Sequence, residues 1–245
     1  MALELFGKLQ QKSTLHFLQA YPTPQEAMAA SVEQIQAVLK HGRYPNPTAG
    51  AATIFEHLHQ PHLQADAVIT RAKARLMLAL VSQLLPLIEQ VAQYDKEIEA
   101  LFLTHPDHEL FESLPRAGQH LAPRLLAEIG DDRLRYQDAS SLQALGGTSP
   151  VLFQSGMYAK AHRRLGCIKP LRNALHQFAW QTTLSEPWAR DYYQRKRAEG
   201  KSHTVAVRAL ANVWVRIIFA MWQHHQCYQA ATFEQAQHQH ARTAA

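Results

Sequence analysis

The chain has 245 residues, 47% of them hydrophobic, so it can bury a sizeable core and is too apolar to be disordered along its length. Its formal net charge is only +5, but residues 155–230 alone carry 12 Lys and Arg against three Asp and Glu. Such a basic segment attracts polyanions. Nucleic acid is therefore the first partner to consider, because cationic side chains neutralise backbone phosphates and release counterions.

The cysteines and the N-terminus exclude several classes of protein. Cys167 and Cys227 are the only cysteines and do not form a C-x-x-C pair, so neither a disulfide framework nor a zinc ribbon is indicated. The first residues lack the continuous apolar run of a secretory signal, and no later stretch is predicted to be apolar enough to span a bilayer. We expect a cytoplasmic protein without a membrane partner.

Apolar spacing and capping residues predict a mainly α fold, which opens with a helical linker region over residues 1–64. In chain order, Ser13 is predicted to cap a first helix, and Thr23-Pro24 begins another by the N-terminal proline rule. Ser31 and Gln34 form a plausible capping box for a third helix.

The third helix is predicted to end at Gly42. Residues 41–50, with two prolines and two glycines, are predicted to form a loop before a further helix over 51–59.

Residues 65–108 are predicted to form a long coiled-coil-like helix, because apolar side chains alternate spacings of three and four without a miss. These positions are Met77, Leu80, Leu84, Leu87, Val91, Tyr94, Ile98 and Leu101. A coiled coil and a long helix packed on its own domain both give this pattern. Pro86 lies inside the run and predicts a kink or a break, because it removes a backbone hydrogen bond.

The remainder is predicted to be a helical domain over residues 109–228 and a flexible tail over 229–245. After His105-Pro106-Asp107, which is expected to end the long helix, residues 114–131 predict a short hairpin leading into a helix. Such a helix-hairpin-helix can offer free backbone amides to a DNA phosphate, although an ordinary helical turn is the alternative. Further helices are predicted at 138–145, 170–184, 187–198 and 203–226.

Ser155, in the sequence Q-S-G, is the candidate nucleophile. A serine hydroxyl attacks phosphorus if a base removes its proton and cations stabilise the phosphoryl group, and His162 and His176 are candidate bases. Ser-Gly is also common in ordinary turns, so a turn without a catalytic function is the alternative. The predicted phosphate contacts are basic residues close to Ser155 in sequence or at the end of a later helix. They are Lys160, Arg163, Arg164, Lys169, Arg172, Arg195, Arg197 and Lys201.

Two other residue types were considered for chemistry. The acidic cluster Glu128, Asp131, Asp132 and Asp138 lies at a helix end, where capping is expected rather than metal binding, so no metal site is predicted. The four tryptophans all fall in the basic region, and their helical spacing to other apolar residues predicts that most are core. Trp188 is the one expected to be free for stacking on bases.

Several motifs together resemble those of one family. They are L-P-x-x-G-x-x-L-A-x-x-L-L-A-E-I-G-D from Leu114, L-G-G-x-x-P-x-x-x-Q-S-G from Leu145, and then H-R-R, F-A-W, Y-Y-x-x-x-R-x-x-G-K and V-A-V-R-A-L-A up to Ala211. In order and spacing they resemble the C-terminal part of the bridge-RNA-guided DNA transposases of the insertion-sequence 110/116/902 family.

The resemblance implies a recombinase in which a serine at the position of Ser155 attacks a DNA phosphodiester. It also implies DNA and a structured guide RNA as partners, and a homo-oligomer assembled through the long helix. In the family an N-terminal RuvC-like domain supplies acidic residues that hold Mg²⁺. Met1 falls where the linker would already have begun, so we expect that domain to be missing and the chain to be inactive alone.

One residue departs from the family pattern: Arg116 in L-P-R-A-G stands where family members usually have Gly. Two alternative functions stay open. One is a non-catalytic nucleic-acid-binding remnant or regulator that pairs with intact protomers, and the other is a helical coiled-coil interaction protein.

Overall fold

The computed structural model describes residues 2–232 and divides into two compact units, Met1–Tyr94 and Asp95–Ala245. The described residues form twelve α-helices, one 3-10 helix and one two-stranded antiparallel sheet. The mainly α prediction is therefore confirmed. The predicted flexible tail lies outside the described residues from position 233 onward.

Unit 1 is built from short helices followed by a long one. They are α1 (Ala2–Leu5), α2 (Lys12–Ala20), α3 (Pro24–Ala29), α4 (Val32–His41), α5 (Pro47–Leu58) and the start of α6 (Ala67–Leu103). The short helices enclose an apolar core that includes Phe6, Phe17, Ile35, Leu39, Ile54 and Leu58.

Two capping boxes fix the starts of α3 and α4; both starts were predicted, but of the two boxes only the one at Ser31 was. The Thr23 hydroxyl accepts a hydrogen bond from the Glu26 backbone N–H, and the Glu26 carboxylate accepts one from the Thr23 backbone N–H. Ser31 and Gln34 make the same reciprocal pair at α4, which ends at Gly42. Each box satisfies two donors that a helix start would otherwise leave unpaired.

The starts of helices α2 and α5 differ from the predictions. Ser13 is not a cap, because α2 begins at Lys12 and the buried Ser13 lies inside it. The predicted loop over 41–50 ends early, since Asn46 caps α5 and accepts a hydrogen bond from the Ala49 N–H. Pro47 then occupies the first turn, where its missing N–H costs nothing.

Helix α6 runs without interruption from Ala67 to Leu103. The predicted long helix is therefore confirmed, and the predicted alternative of a helix break at Pro86 is wrong. Pro86 has no backbone N–H, so one helical hydrogen bond is missing, and the helix continues on both sides of it. Val81 is its one buried side chain. Seven seam residues are exposed, and we call them the α6 seam: Leu80, Leu84, Leu87, Val91, Tyr94, Ile98 and Leu101.

Unit 2 contains the remaining elements. They are α7 (His108–Glu112), α8 (Gly118–Ile129), a 3-10 helix (Arg133–Arg135), α9 (Ala139–Leu145), β1 (Val151–Ser155), β2 (Tyr158–His162), α10 (Lys169–Thr182), α11 (Pro187–Ala198) and α12 (His203–His224). The four helices predicted from residue 138 onward are confirmed, with ends that agree to within two residues. The hairpin of β1 and β2 was not predicted.

Helix α12 is the central element of unit 2, and it packs against α9, α10 and α11. Trp214 is fully buried in it and donates its indole N–H to the Thr182 hydroxyl at 2.8 Å. The Phe178 ring meets the Trp214 ring edge-on, with centroids 4.9 Å apart. The indole therefore contributes both apolar area and a satisfied polar group to the core.

A buried carboxylate joins distant segments of unit 2. Asp107, 2% exposed, accepts a hydrogen bond from Arg133 Nη2 at 2.6 Å and another from the Trp222 indole at 3.2 Å. Arg133 Nε in turn donates to the Trp222 carbonyl oxygen at 2.8 Å. The charge is both paired and hydrogen-bonded, which is what allows it to be buried.

Two helices, α6 and α12, are long and apolar enough by length and composition to cross a membrane. The prediction that no stretch reaches this level is therefore wrong. For α12 packing explains the composition, because nine of its side chains are buried in unit 2. In α6 the polar residues Glu89, Asp95 and Glu97 interrupt the apolar run, while the exposed seam continues past them to Leu101.

The turn between α7 and α8 requires left-handed backbone at two positions. Arg116 has φ +60° and Gly118 has φ +53°. Glycine adopts this conformation without strain, whereas a side chain with a Cβ costs about 1 kcal/mol there. The turn geometry gives a physical reason why Gly suits position 116.

We predict that Arg116→Gly stabilises the chain by about 0.5–1 kcal/mol, because it relieves the left-handed strain. Gly118→Ala should destabilise it by about 1 kcal/mol, and for conformational reasons alone, since no other atom lies within 4 Å of the added Cβ. Urea unfolding followed by circular dichroism measures both changes. A loss of stability in Arg116→Gly would contradict the strain explanation.

Candidate nucleic-acid interface

The hairpin of β1 and β2 presents Ser155 beside its turn. Ser155 pairs with Tyr158 across the strands, and Gly156 and Met157 form the two-residue connection. Gly156 has φ +59°, as tight hairpin turns require. Both strands are exposed almost throughout, so the hairpin stands out from the helical core.

Strand register places five other residues on the same face as Ser155. Side chains alternate between the two faces of a sheet, and directly paired residues share one face. From the pairs Val151–His162, Phe153–Lys160 and Ser155–Tyr158, that face carries Val151, Phe153, Ser155, Tyr158, Lys160 and His162. We call it the Ser155 face. It combines a hydroxyl, a cation and two aromatic rings, of which Phe153 is 64% and Tyr158 58% exposed.

The register separates Ser155 from one of its candidate bases. His162 pairs with Val151, four residues along the strand from Ser155, which corresponds to about 13 Å. Its ring instead packs edge-on against Phe153, with centroids 5.4 Å apart. His162 therefore does not contact the Ser155 hydroxyl, and that hydroxyl makes no hydrogen bond to any residue within 2–232.

The second candidate base, His176, lies on α10 among arginines. Burial lowers the pKa of His176 to about 4, and the positive charges of Arg172, Arg208 and Arg163 add to this effect. The imidazole is therefore neutral at pH 7 and only a weak base. General base catalysis favours a pKa close to the working pH, so the surroundings of His176 do not suit it to be the base for Ser155.

Two of the predicted phosphate contacts, Arg163 and Arg172, act on this histidine through their charges, and Arg164 directly follows Arg163 in the chain. Arg163 is exposed in the segment after β2, Arg172 is half-buried on α10, and Arg164 has its Nε shielded from solvent. Lys160 lies on the Ser155 face and Lys169 is exposed at the start of α10. Arg208 of α12, which was not among the predicted contacts, also acts on His176.

The other predicted contacts form a second group at the end of α11. The Arg195 guanidinium lies over the Tyr192 ring, 5.1 Å from its centroid, and remains exposed. Arg197 donates to the Lys201 carbonyl oxygen at 2.7 Å, so it also stabilises its own helix end. Both Arg197 and Lys201 are exposed.

The tryptophan available for stacking is Trp180 and not Trp188. The Trp188 indole donates to the Tyr228 hydroxyl at 3.0 Å, and its ring lies 4.8 Å from the Trp214 ring. It is therefore part of the core packing. Trp180 is 37% exposed and contacts the Tyr193 and His203 rings.

Two of the four acidic residues, Asp132 and Asp138, act as caps. Asp132 accepts from the Leu134 N–H, and Asp138 accepts from both the backbone N–H and the hydroxyl of Ser141. The Ser141 hydroxyl, followed by its N–H, lowers the pKa of Asp138. Within residues 2–232 no three His, Cys, Asp or Glu side chains are grouped to hold a metal ion.

A cavity of about 1020 Å³ lies between α11, α12 and residues 226–232. Its apolar lining includes Ile217 and Met221, and its cations are Arg195 and Arg216. Neither Ser155 nor any other residue of the hairpin lines it, so the candidate chemistry is at an exposed surface.

Comparison with known proteins places the basic region in a family. Residues 108–194, which include α7, α8, the hairpin and most of α11, match the model of the transposase IS116/IS110/IS902 family. This part of the chain belongs to the transposase family. The match includes Ser155 and the arginines that precede α11.

Curated members of the transposase family extend the similarity over most of the chain. The 42 kDa protein of insertion element IS900 from Mycobacterium paratuberculosis is 30% identical over 90% of this chain and 55% of its own length. A mini-circle protein of Streptomyces coelicolor, named as a transposase for IS117, is 32% identical over 85% and 49%. The 44.8 kDa protein of IS116 from Streptomyces clavuligerus is 29% identical over 86% and 52%. The chain spans about half the length of these relatives.

Proposed function

We propose that this chain binds DNA and takes part in transposition, with Ser155 as the nucleophile toward a phosphodiester. The observation that carries the proposal is the Ser155 face, where an exposed hydroxyl lies beside Tyr158 and on the same strand surface as Lys160. Family membership supports the same role.

Exposure and charge make the hairpin suitable for nucleic acid. A two-stranded ribbon can enter a groove or lie along a single strand, with aromatic rings stacking on bases and cations contacting phosphates. Phe153 and Tyr158 supply the rings, and Lys160 supplies the cation. The arginines near α10 add positive charge that can position the phosphate backbone.

The proposed chemistry is a transesterification at phosphorus. The Ser155 Oγ–P bond forms, the P–O bond to the leaving deoxyribose oxygen breaks, and that oxygen takes up a proton. The serine proton leaves to a base that we place outside the hairpin, because His162 is about 13 Å away along the strand.

A second role is favoured by the α6 seam. Seven apolar side chains at alternating spacings of three and four are exposed along one helix. A second copy of the same helix offers a matching seam, and knobs-into-holes packing would bury both. We propose that the chain self-associates through α6, and this would hold equally for a non-catalytic regulator that pairs with intact protomers.

Lys160→Gln should weaken DNA binding and reduce the salt dependence, because one phosphate contact is lost. The slope of log affinity against log salt should become shallower by about 0.9. Fluorescence anisotropy with duplex, single-stranded and hairpin RNA probes measures this and ranks the three ligands. Lys40→Gln is the control, since it removes an exposed cation in unit 1. Equal losses in the two variants, or binding that is insensitive to salt, would oppose the proposal.

Ser155→Ala should abolish a covalent protein–DNA adduct. The chain is incubated with DNA and with the segment of a full-length relative that lies outside the matched region, and the adduct is detected by denaturing gel and mass spectrometry. Ser149→Ala, just before the hairpin, should leave the adduct unchanged. If the wild-type chain forms no adduct, or if the adduct persists in Ser155→Ala, the nucleophile assignment fails while the binding proposal stands.

Introducing glutamate at Leu87 and Val91 should convert a self-associated chain to monomers, because two charges would be buried in the seam. Sedimentation velocity measures the mass. Ala92→Glu adds a charge at an exposed position on the opposite side of the same helix and should leave the association intact. A wild-type chain that is monomeric, or that floats with lipid vesicles instead, would contradict self-association.

A further inference from the structure

An uncompensated group of arginines surrounds one histidine in unit 2. Arg172 and His176 are one helical turn apart on α10, so they lie on the same face. Arg208 is on α12, which packs against α10, and Arg163 follows β2. We call these four residues the His176 cluster.

The arginines of the cluster have no acidic partner. None of them forms an ion pair with any described residue, and Arg172 Nη1 contacts the Cys167 sulfur at 3.8 Å. Burial lowers the pKa of Arg208, and the charge of Arg163 lowers it further. Holding like charges together in partly buried positions is unfavourable without an anion.

Two shielded nitrogen atoms, one of them in the cluster, also lack partners. His176 Nε2 and Arg164 Nε are screened from solvent and make no hydrogen bond, and Arg164 directly follows Arg163 in the chain. Buried polar atoms are hydrogen-bonded in the great majority of proteins, so both of these atoms are available to a partner from outside the chain. Both the charge and the free hydrogen-bonding groups call for an anion.

We propose that the His176 cluster is a binding site for a single backbone phosphate of nucleic acid, and that His176 takes up one proton from solvent when the phosphate enters. This deepens the proposed function and rests on it. A phosphodiester fits better than a carboxylate, because several guanidinium forks converge from three elements and a tetrahedral anion offers oxygens in several directions.

The proton uptake follows from the surroundings of His176. Arg172 on α10, Arg208 on α12 and Arg163 after β2 act on the imidazole, and no carboxylate among the described residues offsets them. A bound anion would oppose these charges and favour the imidazolium form. Without the anion, the lowered pKa means that the folded chain binds fewer protons than the unfolded chain between about pH 6.5 and 4. Stability should therefore fall as the pH is lowered through this window, and the phosphate should reverse that fall.

The test uses the full chain and hexathymidylate, whose phosphodiesters and bases do not titrate between pH 5 and 8. Histidine side chains are observed by ¹H–¹⁵N NMR, and the His176 signal is assigned by its loss in His176→Asn. At pH 6 we expect His176 to be neutral in the free chain and protonated in the complex. Affinity should rise as the pH falls from 7.5 to 5.5, with uptake of about one proton per complex by calorimetry in buffers of different ionisation enthalpy.

Variants identify the ligand groups. Arg172→Gln and Arg208→Gln should each weaken binding by about tenfold, since each loses a charge-assisted hydrogen bond. His176→Asn should bind with no pH dependence. Lys40→Gln, in unit 1, should behave as the wild type. Circular dichroism confirms that each variant folds.

The outcomes separate this inference from the proposed function. If hexathymidylate binds but His176 stays neutral at saturation, or if Arg172→Gln and Arg208→Gln both bind like the wild type, the phosphate site is wrong while nucleic-acid binding stands. If hexathymidylate does not bind, sulfate is titrated in its place. Protonation of His176 by sulfate but not by acetate would keep the anion site and overturn its assignment to nucleic acid, and no response to either would overturn both.

Discussion

The carboxylate of Asp107 holds together three segments of unit 2 that are distant in sequence. Asp107 directly precedes α7, and its carboxylate accepts hydrogen bonds from Arg133 in the 3-10 helix and from Trp222 near the end of α12. Removing one partner from a buried, hydrogen-bonded ion pair typically costs about 3–5 kcal/mol, a large share of the stability of an ordinary domain. The position of α12 depends on this contact, and α12 in turn carries Trp214 into the core and Arg208 to the basic surface.

The parts of the fold that the sequence predicts are those decided by neighbouring residues. The capping boxes at Thr23 and Ser31 are local, so their starts could be identified directly. Ser13 was misleading because a serine followed by apolar residues resembles a cap, while burial within unit 1 places it inside the helix. Pro86 was misleading for the opposite reason, since a long helix tolerates the loss of one backbone bond.

The hairpin escaped prediction because neither of its faces is buried. A strand is recognised by alternation of apolar and polar residues, and that pattern arises when one face packs on a core. The strand Tyr158–His162 has no such pattern. Before Val151 stand Gly146, Gly147 and Pro150, which are residues typical of turns. For the candidate site, the arginines near Ser155 could be named from composition. The meeting of Arg163, Arg172 and Arg208 at His176 could not, because it depends on how α10 packs against α12.

The exposure of both hairpin faces separates what the hairpin binds from what keeps the chain folded. Changes at Phe153, Tyr158 or Lys160 alter the surface that meets a ligand and remove almost no packing from the helical core. Surface substitutions of this kind usually change stability by less than about 0.5 kcal/mol. Substitutions at these three positions can therefore change what the hairpin prefers to bind, while Asp107 and α12 preserve the same helical framework.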